Sequence, residues 1–482
     1  MEPIVVAPQI ILQYNHVMNI IQAEVMDWCR SYDGPKFHAI LCDPPYELGF
    51  MGKNWDKTGI VFDPATWEAL AEHLHPGGFG MAFASSRGWH RLAVAIEDAG
   101  LRIHPSIFGW AFGSGFPKAT RIDTQIDKAA GAEREVKGQS NRGSGAQPNK
   151  LNNHGPGDTG IGYMDGSGKT FDITTPSTDL AKAWEGHRYG LQAMKPALEP
   201  IIVFQVPYEG KPFECIVETG AGALNIDGAR IPGEPWRWGT QTDIRGGGYN
   251  TNRVADGDVF KRNVEGHPDG RWPANFYLDE EGARRLGEQS GELKSGANPE
   301  RRGSDKFRST YQPYAGQREC VAHRGADAGS AARFFFNVNR QIDEADPVMY
   351  QAKASRKERD AGLEGMEVKG TTHDGYGSIQ EPKLDRACPR ENWTPHEIRN
   401  PHPTVKPIDL TRWLATLLLP PAEYAPRRIL VPFSGSGSEM IGAMLAGWEE
   451  VVGIEMEEEY VRIARARLEH WGKGDKQLGL DI

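Results

Sequence analysis

Cysteine is scarce in this chain: Cys29, Cys42, Cys215, Cys320 and Cys388 are the only five in 482 residues, and no two form a CxxC pair. That excludes a zinc knuckle and a disulfide framework, no metal is expected, and a reducing, cytoplasmic compartment is expected. No apolar run approaches the roughly 18–20 residues that a membrane span requires. The leading MEPIVVAPQIILQYNH has neither a basic n-region nor a small-residue cleavage site, so no secretory signal is expected. No internal repeat is found. A working phosphate loop is missing too. GYMDGSGKT at 162–170 imitates one, but Tyr163 stands where the pattern needs its first glycine, and no apolar strand precedes it. Positive charge is in deficit, with 55 Lys and Arg against 65 Asp and Glu, a net −10. This argues against a uniformly basic binder but leaves room for a local basic face.

What is present is 39% hydrophobic residues, enough for a core, with 57 glycines and 33 prolines that imply long irregular insertions. Charge is segregated along the chain. Lys294 to Arg333 holds eight bases against four acids, whereas Glu449 to Glu459 holds six glutamates and no base.

Periodicity divides the chain into three parts. Up to residue 206, apolar runs at 20–25, 37–42, 79–84, 107–112 and 198–206 alternate with helical spacing at 66–75 and 91–99, which predicts a parallel α/β sheet. Residues 113–197 interrupt this pattern as an insertion. Residues 207–400 are glycine-rich and irregular, with strand-like runs at 274–278 and 333–338, and are expected to face the substrate. From 401 to 482 order returns: a helix at 408–419, a strand at 428–433, a helix at 438–446, a strand at 451–455 and a helix at 456–471 with apolar residues at the 3.6-residue period.

Two motifs carry chemistry. Asp43-Pro44-Pro45-Tyr46 follows the strand FHAILC directly, and the two prolines fix φ and stop the sheet. The result is a rigid loop at a strand's carboxyl end, where open α/β sheets hold ligands. It offers a carboxylate, a backbone carbonyl and an aromatic ring. Together these suit a planar base bearing an amino group. Phe433-Ser434-Gly435-Ser436-Gly437 joins the strand RRILVP to the helix SEMIGAMLA, and eighteen residues past Gly437 a second strand ends in Glu455. Glycines there let backbone approach a ligand, and an acid about 20 residues beyond commonly binds ribose hydroxyls. A third segment, Asn400 to Pro407 (NPHPTVKP), is a proline-stiffened helix entry carrying His402, Thr404 and Lys406.

In this order, DPPY, HPTVKP and FSGSG resemble the amino-methyltransferases of DNA, in the permuted beta group, and further segments such as GFPKA, MKPALEPIIVF and QAKASRKER resemble phage or prophage members of it. The resemblance implies a Rossmann-like, seven-stranded, mostly parallel methyltransferase sheet built from both ends of the chain (1–206 and 401–482), with circularly permuted motif order. It implies S-adenosyl-L-methionine as cofactor, held by Phe433 to Gly437, Glu455, His402, Thr404 and Lys406. Asp43, Pro44, Pro45 and Tyr46 would be the catalytic set, acting on N6 of adenine, with N4 of cytosine as the alternative. The partner would be double-stranded DNA, read by 207–400 and in particular by Arg301, Arg302, Arg308 and Arg318. The setting would be restriction-modification in a bacterial or phage-infected cell, and a homodimer is compatible with it. Two positions depart from the family pattern: Val431 replaces an aspartate, and Ser438-Glu439 replaces Thr-Thr.

Overall fold

The computed structural model describes residues 10–11, 17–49, 54–112, 117–140, 171–231, 241–242, 261–262, 269–295, 327–338, 354, 356–368, 370–372 and 396–473. Its centre is an eleven-stranded sheet. In chain order the strands are β1 (Ile10–Ile11), β2 (Val17–Gln22), β3 (Phe37–Cys42), β4 (Leu74–Phe83), β5 (Arg102–Ile103), β6 (Phe108–Ala111), β7 (Leu198–Gln205), β8 (Phe276–Asp279), β9 (Phe336–Val338), β10 (Arg428–Pro432) and β11 (Glu450–Glu455). In space they run β1-β2-β11-β10-β3-β4-β7-β6-β8-β9, with β5 also paired to β7. From β2 through β4 all neighbours are parallel, while β7 is antiparallel to both β4 and β6. The expected seven mostly parallel strands are thus the stretch from β2 to β6, and four short strands extend it.

Among the described residues, the helices packed on the sheet include α1 (Val25–Ser31), α2 (Pro64–Glu72), α3 (Trp89–Asp98), α4 (Ile408–Leu418), α5 (Ser438–Ala446) and α6 (Glu458–Lys473). The parallel strands are buried on both faces, which is why they read as unbroken apolar runs. Their side chains still alternate. Ile40, Cys42, Leu430, Val452 and Ile454 pack with Trp28, Trp67 and Ile96 on one face. Ala39, Leu41, Ile429, Val431 and Val451 pack with Leu410, Leu414, Met440, Ile441 and Leu468 on the other.

Where α5 crosses α4 there is no room for a side chain. A Cβ on Gly442 would lie 2.3 Å from Thr411 Oγ1 and 2.6 Å from the Arg412 nitrogen. Gly442→Ala is therefore expected to cost about 1–3 kcal/mol by overpacking. Denaturant titration checks this, and an unchanged midpoint would mean the helices part without cost.

Several boundaries differ from the sequence reading. The run at 20–25 is split: β2 ends at Gln22, and Val25 opens α1, whose N-cap Glu24 accepts from the Asp27 N–H at 3.0 Å. The helix expected at 66–75 starts two residues earlier, behind Asp63, which caps the Ala65 N–H at 3.0 Å. It ends at Glu72, and β4 begins at Leu74, so Pro76-Gly77-Gly78 lies inside the strand. The chain kinks there because Gly77 is left-handed (φ 81°), and the pairing with β3 shifts register.

The insertion 113–197 is not irregular throughout. Lys118–Arg121 pairs with Arg188–Gln192, and Val136–Ser140 with Phe171–Thr174. Asp123 and Asp127, both fully buried, hold this small unit through Arg121 and Arg134, with Arg121–Asp123 at 2.6 Å and Arg134–Asp123 at 2.9 Å. Within 207–400, β8 and β9 join the main sheet, so that stretch is not wholly separate from it. Arg301, Arg302, Arg308 and Arg318 lie outside the described residues, as does the 162–170 segment.

Candidate active site

Strand order places the site. The chain leaves β10 toward β11 on one side and leaves β3 toward β4 on the other, while β10 and β3 are themselves parallel neighbours. A crevice opens at such a switch point, at the carboxyl ends of the strands. Asp43 to Tyr46 leaves the end of β3, and Phe433 to Gly437 leaves the end of β10. The two motifs therefore leave the same ends of neighbouring strands, although some 390 residues separate them in sequence.

On the β3 side, four side chains form one buried cluster. Lys406 Nζ lies 2.6 Å from Asp43 Oδ2, 3.0 Å from Glu199 Oε1 and 3.2 Å from the Tyr46 hydroxyl. The Tyr46 hydroxyl donates to Glu199 Oε1. The ammonium also sits over the rings of Phe83, at 4.8 Å, and Tyr46, at 5.2 Å. Lys406 is only 3% exposed. Burial works against its charge, yet the Asp43 and Glu199 carboxylates outweigh burial and hold it above its ordinary value. Burial likewise pushes Asp43 up, against the pull of Lys406. It also raises Tyr46 well above the phenol range, with the Asp43 and Glu199 carboxylates acting in the same direction. The ammonium engages one Asp43 oxygen only. The other, Oδ1, is buried with no hydrogen-bond partner. Asp56 fixes the following loop by accepting the Glu47 and Leu48 N–H groups at 2.9 and 3.2 Å.

On the β10 side the chain turns tightly. Phe433, Gly435 and Gly437 all have positive φ, at 58°, 50° and 81°. For glycine that conformation carries no Cβ clash, and space adds a second constraint: a Cβ on Gly435 would lie 2.7 Å from His402 Nε2. The His402 ring thus packs onto the glycine turn, edge-on to Tyr460 at 4.6 Å, and its Nδ1 accepts from the Thr404 N–H at 3.4 Å. Glu455 reaches back from β11 and accepts the Gly435 N–H at 2.8 Å and the Glu457 N–H at 2.8 Å. Burial pushes its carboxyl up to about 7, although these backbone donors oppose the shift.

Among the described residues, the 400–407 segment touches both motifs, Asp43 through Lys406 and Gly435 through His402, and so divides differently from the expectation. Lys406, expected beside the cofactor turn, makes its hydrogen bonds to Asp43 and Tyr46, while His402 alone of its segment packs on Gly435. Three further buried or half-buried charged side chains near the motifs were given no role in the sequence reading. Glu199 sits in the run LEPIIVFQ, where an acid beside a buried strand was a usable signal. Arg467 lies on the apolar stripe of α6, one turn past Ile463. It is fully buried and donates to the Ser436 carbonyl at 2.6 Å, to Ser436 Oγ at 3.1 Å and to Ser438 Oγ at 3.2 Å. Burial lowers it to about 10. Glu439, in the first turn of α5, is the third.

No family model matches the chain, and no curated protein does. Among solved structures it is similar to the M1.HpyAVI–SAM complex, at 11% identity and a TM-score of 0.33, with 94% of this chain and 98% of that chain covered. It is also similar to the PvuII DNA methyltransferase described as cytosine-N4-specific, at 9% identity and a TM-score of 0.36, with 95% and 92% covered.

Proposed function

We propose that the chain is an S-adenosyl-L-methionine-dependent DNA methyltransferase that modifies N6 of adenine. The observation that carries this reading is the unsatisfied Asp43 Oδ1. A buried acceptor without a donor costs about 1–3 kcal/mol, and Lys406, which engages Oδ2, leaves it unfilled at the end of a strand whose parallel neighbour runs into the glycine turn. An exocyclic amino group supplies the missing donor.

The residues fit the cofactor. The backbone of Phe433 to Gly437 can approach it closely, and Glu455 can accept from its ribose hydroxyls. When bound, S-adenosyl-L-methionine supplies the methyl group. A target base inside a duplex cannot reach a strand-end crevice, so it must be swung out of the stack. Tyr46 then stacks on the ring. Asp43 Oδ1 and the Pro44 carbonyl would accept the two amino hydrogens, which turns the nitrogen lone pair toward the cofactor side, and the Asp43 charge would stabilise the nitrogen as it becomes positive. As the nitrogen–methyl bond replaces the methyl–sulfur bond, whose electron pair leaves on sulfur, the nitrogen gives up one amino hydrogen as a proton to solvent. Lys406 and Glu199 fix Asp43 and Tyr46 in place. The stretch 207–400, with Arg301, Arg302, Arg308 and Arg318, is the proposed DNA reader, on the strength of its local positive charge.

The direct test is nucleoside mass spectrometry of DNA incubated with the protein and methyl-labelled cofactor. Labelled N6-methyladenine is expected. Labelled N4-methylcytosine would move the reaction to cytosine, whose amino group presents the same two hydrogens. Cofactor binding with no labelled nucleoside would make the chain a DNA-binding relative without turnover.

Glu455 offers a second check. Glu455→Ala is expected to weaken cofactor binding by about 1.5–3 kcal/mol, as for a hydrogen bond to a charged group. The acid also sets a pH dependence. With its carboxyl at about 7, the folded cofactor-free chain holds a proton there between pH 4.5 and 7 that the unfolded chain has released. Its contribution to stability is therefore present below about pH 4.5 and lost as pH rises through 7. Ribose hydroxyls favour the ionised form, so wild-type affinity should fall as pH drops from 7.5 to 5.5. Calorimetry across that range reads the slope, and identical slopes in wild type and Glu455→Ala would remove Glu455 from the contact.

A further inference from the structure

Glu439 is a second buried carboxylate at the crevice, and the methyl-transfer steps above do not use it. It lies in the first turn of α5, directly after the glycine turn, and is 3% exposed. Its Oε1 is buried with no hydrogen-bond partner. The crevice thus holds two unsatisfied carboxylate oxygens, one on each motif: Asp43 Oδ1 at the end of β3 and Glu439 Oε1 at the start of α5. Asp43, Lys406, Arg467 and Cys42 are the titratable groups around Glu439. Arg467 spends its contacts on Ser436, Ser438 and the Glu358 carbonyl, and Lys406 on Asp43, Glu199 and Tyr46. Neither cation hydrogen-bonds Glu439 Oε1, so the acid, two residues past Gly437 and beside Asp43, keeps a buried acceptor unfilled.

The acceptor defines its ligand. An oxygen without a donor needs an N–H or O–H, and a buried carboxylate favours one carried on a cation. Asp43, on the facing motif, is the acceptor assigned to the target amino group. Glu439 belongs to the cofactor wall, since Gly437 and Ser438 immediately precede it. Resting on the cofactor reading above, we infer that Glu439 Oε1 receives the α-ammonium of the cofactor's methionine end. The sulfonium is positive but has no hydrogen to donate, so the ammonium is the group that satisfies this oxygen. Burial and the nearby Asp43 carboxylate raise the empty Glu439 carboxyl to about 7, as expected for an anion site awaiting its cation. Glu439 is in this sense a binding and positioning residue. It anchors one end of the cofactor while Glu455, on the adjacent strand, anchors the ribose.

The test compares two ligands that differ only in that amine: S-adenosyl-L-homocysteine and its deaminated analogue, in which hydrogen replaces the α-amino group. Each is titrated calorimetrically into the full chain as wild type, Glu439→Gln and Glu439→Asp. Wild type is expected to prefer the amine-bearing ligand by about tenfold or more, the equivalent of one hydrogen bond to a charged group. Glu439→Gln should lose that preference by weakening the amine-bearing ligand alone, and Glu439→Asp should recover part of it. Equal weakening of both ligands in Glu439→Gln would show a merely structural role and overturn the inference, with cofactor binding itself intact. A Glu439→Gln loss seen with S-adenosyl-L-methionine but not with S-adenosyl-L-homocysteine would shift the contact to the sulfonium and overturn it as well. Failure of wild type to bind either ligand would overturn the cofactor reading together with the inference.

Discussion

Replacing Asp43 with alanine is expected to abolish methyl transfer while leaving cofactor affinity within a few-fold of wild type. On the proposed function, the side chain would supply the acceptor that orients the target amino group and the charge that stabilises it as it turns positive. Losing one such preorganised electrostatic contact costs about 10²–10³-fold in turnover. Cofactor binding survives because Asp43 leaves the end of β3, across the crevice from the glycine turn on β10. Asp43→Asn refines the result. It keeps an oxygen at Oδ1 but removes the charge and the ionic hold of Lys406, so its rate should lie between those of wild type and Asp43→Ala. Retention of more than a few per cent of the wild-type rate by Asp43→Ala would remove Asp43 from the chemistry.

The second large effect is on stability. Lys406→Met strips the ammonium that pairs with Asp43 and Glu199, both largely buried. Breaking a buried ion pair from one side typically costs about 3–5 kcal/mol, because the remaining charge stays desolvated. The loss should grow with pH, since Asp43, whose carboxyl burial pushes up, can take up a proton in acid and cannot in base. Glu199→Gln made on top of Lys406→Met should recover part of it, a coupling that a double-mutant cycle reads directly. A denaturation midpoint for Lys406→Met equal to wild type at pH 8 would mean that water enters and solvates the carboxylates. Methyl transfer should fall as well, since Lys406 is what leaves Asp43 Oδ1 as the free acceptor.

Much of the sheet was legible because its parallel strands are buried on both faces and declare themselves as short apolar runs closed by turn residues. FHAILC is a strand over the expected residues, and SEMIGAMLA a helix over its expected residues. Asp43 and the glycine turn could be read for the same reason: each follows its strand immediately, and strand ends are where such sheets hold ligands. What could not be read depends on contacts between distant residues. Glu199 reaches Tyr46 across 153 positions, and Lys406 reaches Asp43 across 363. Local periodicity has nothing to say about either. Helix α1 escaped because Val25 continues the apolar run of β2, and only the Glu24 cap marks the change of backbone. Arg467 and Glu439 were legible only as exceptions, charges on helix faces that otherwise go inward. Val431 is fully buried in mid-strand, within the apolar cluster on the α4–α5 face of the sheet.

The strand order also governs when the crevice can exist during synthesis. β2 and β3 are made early, yet neither pairs directly with the other: β10 and β11 stand between them. Until those last strands leave the ribosome, each early strand presents an unpaired edge, the kind of surface that recruits other chains. Lys406, which neutralises Asp43, arrives with the same late segment. A nascent or prematurely ended chain therefore carries the Asp43 loop with neither its counter-ion nor its cofactor wall. On the proposed function, the site would form only once β10 and β11 have been made, and fragments split near residue 400 should be inert separately and regain the site only by pairing.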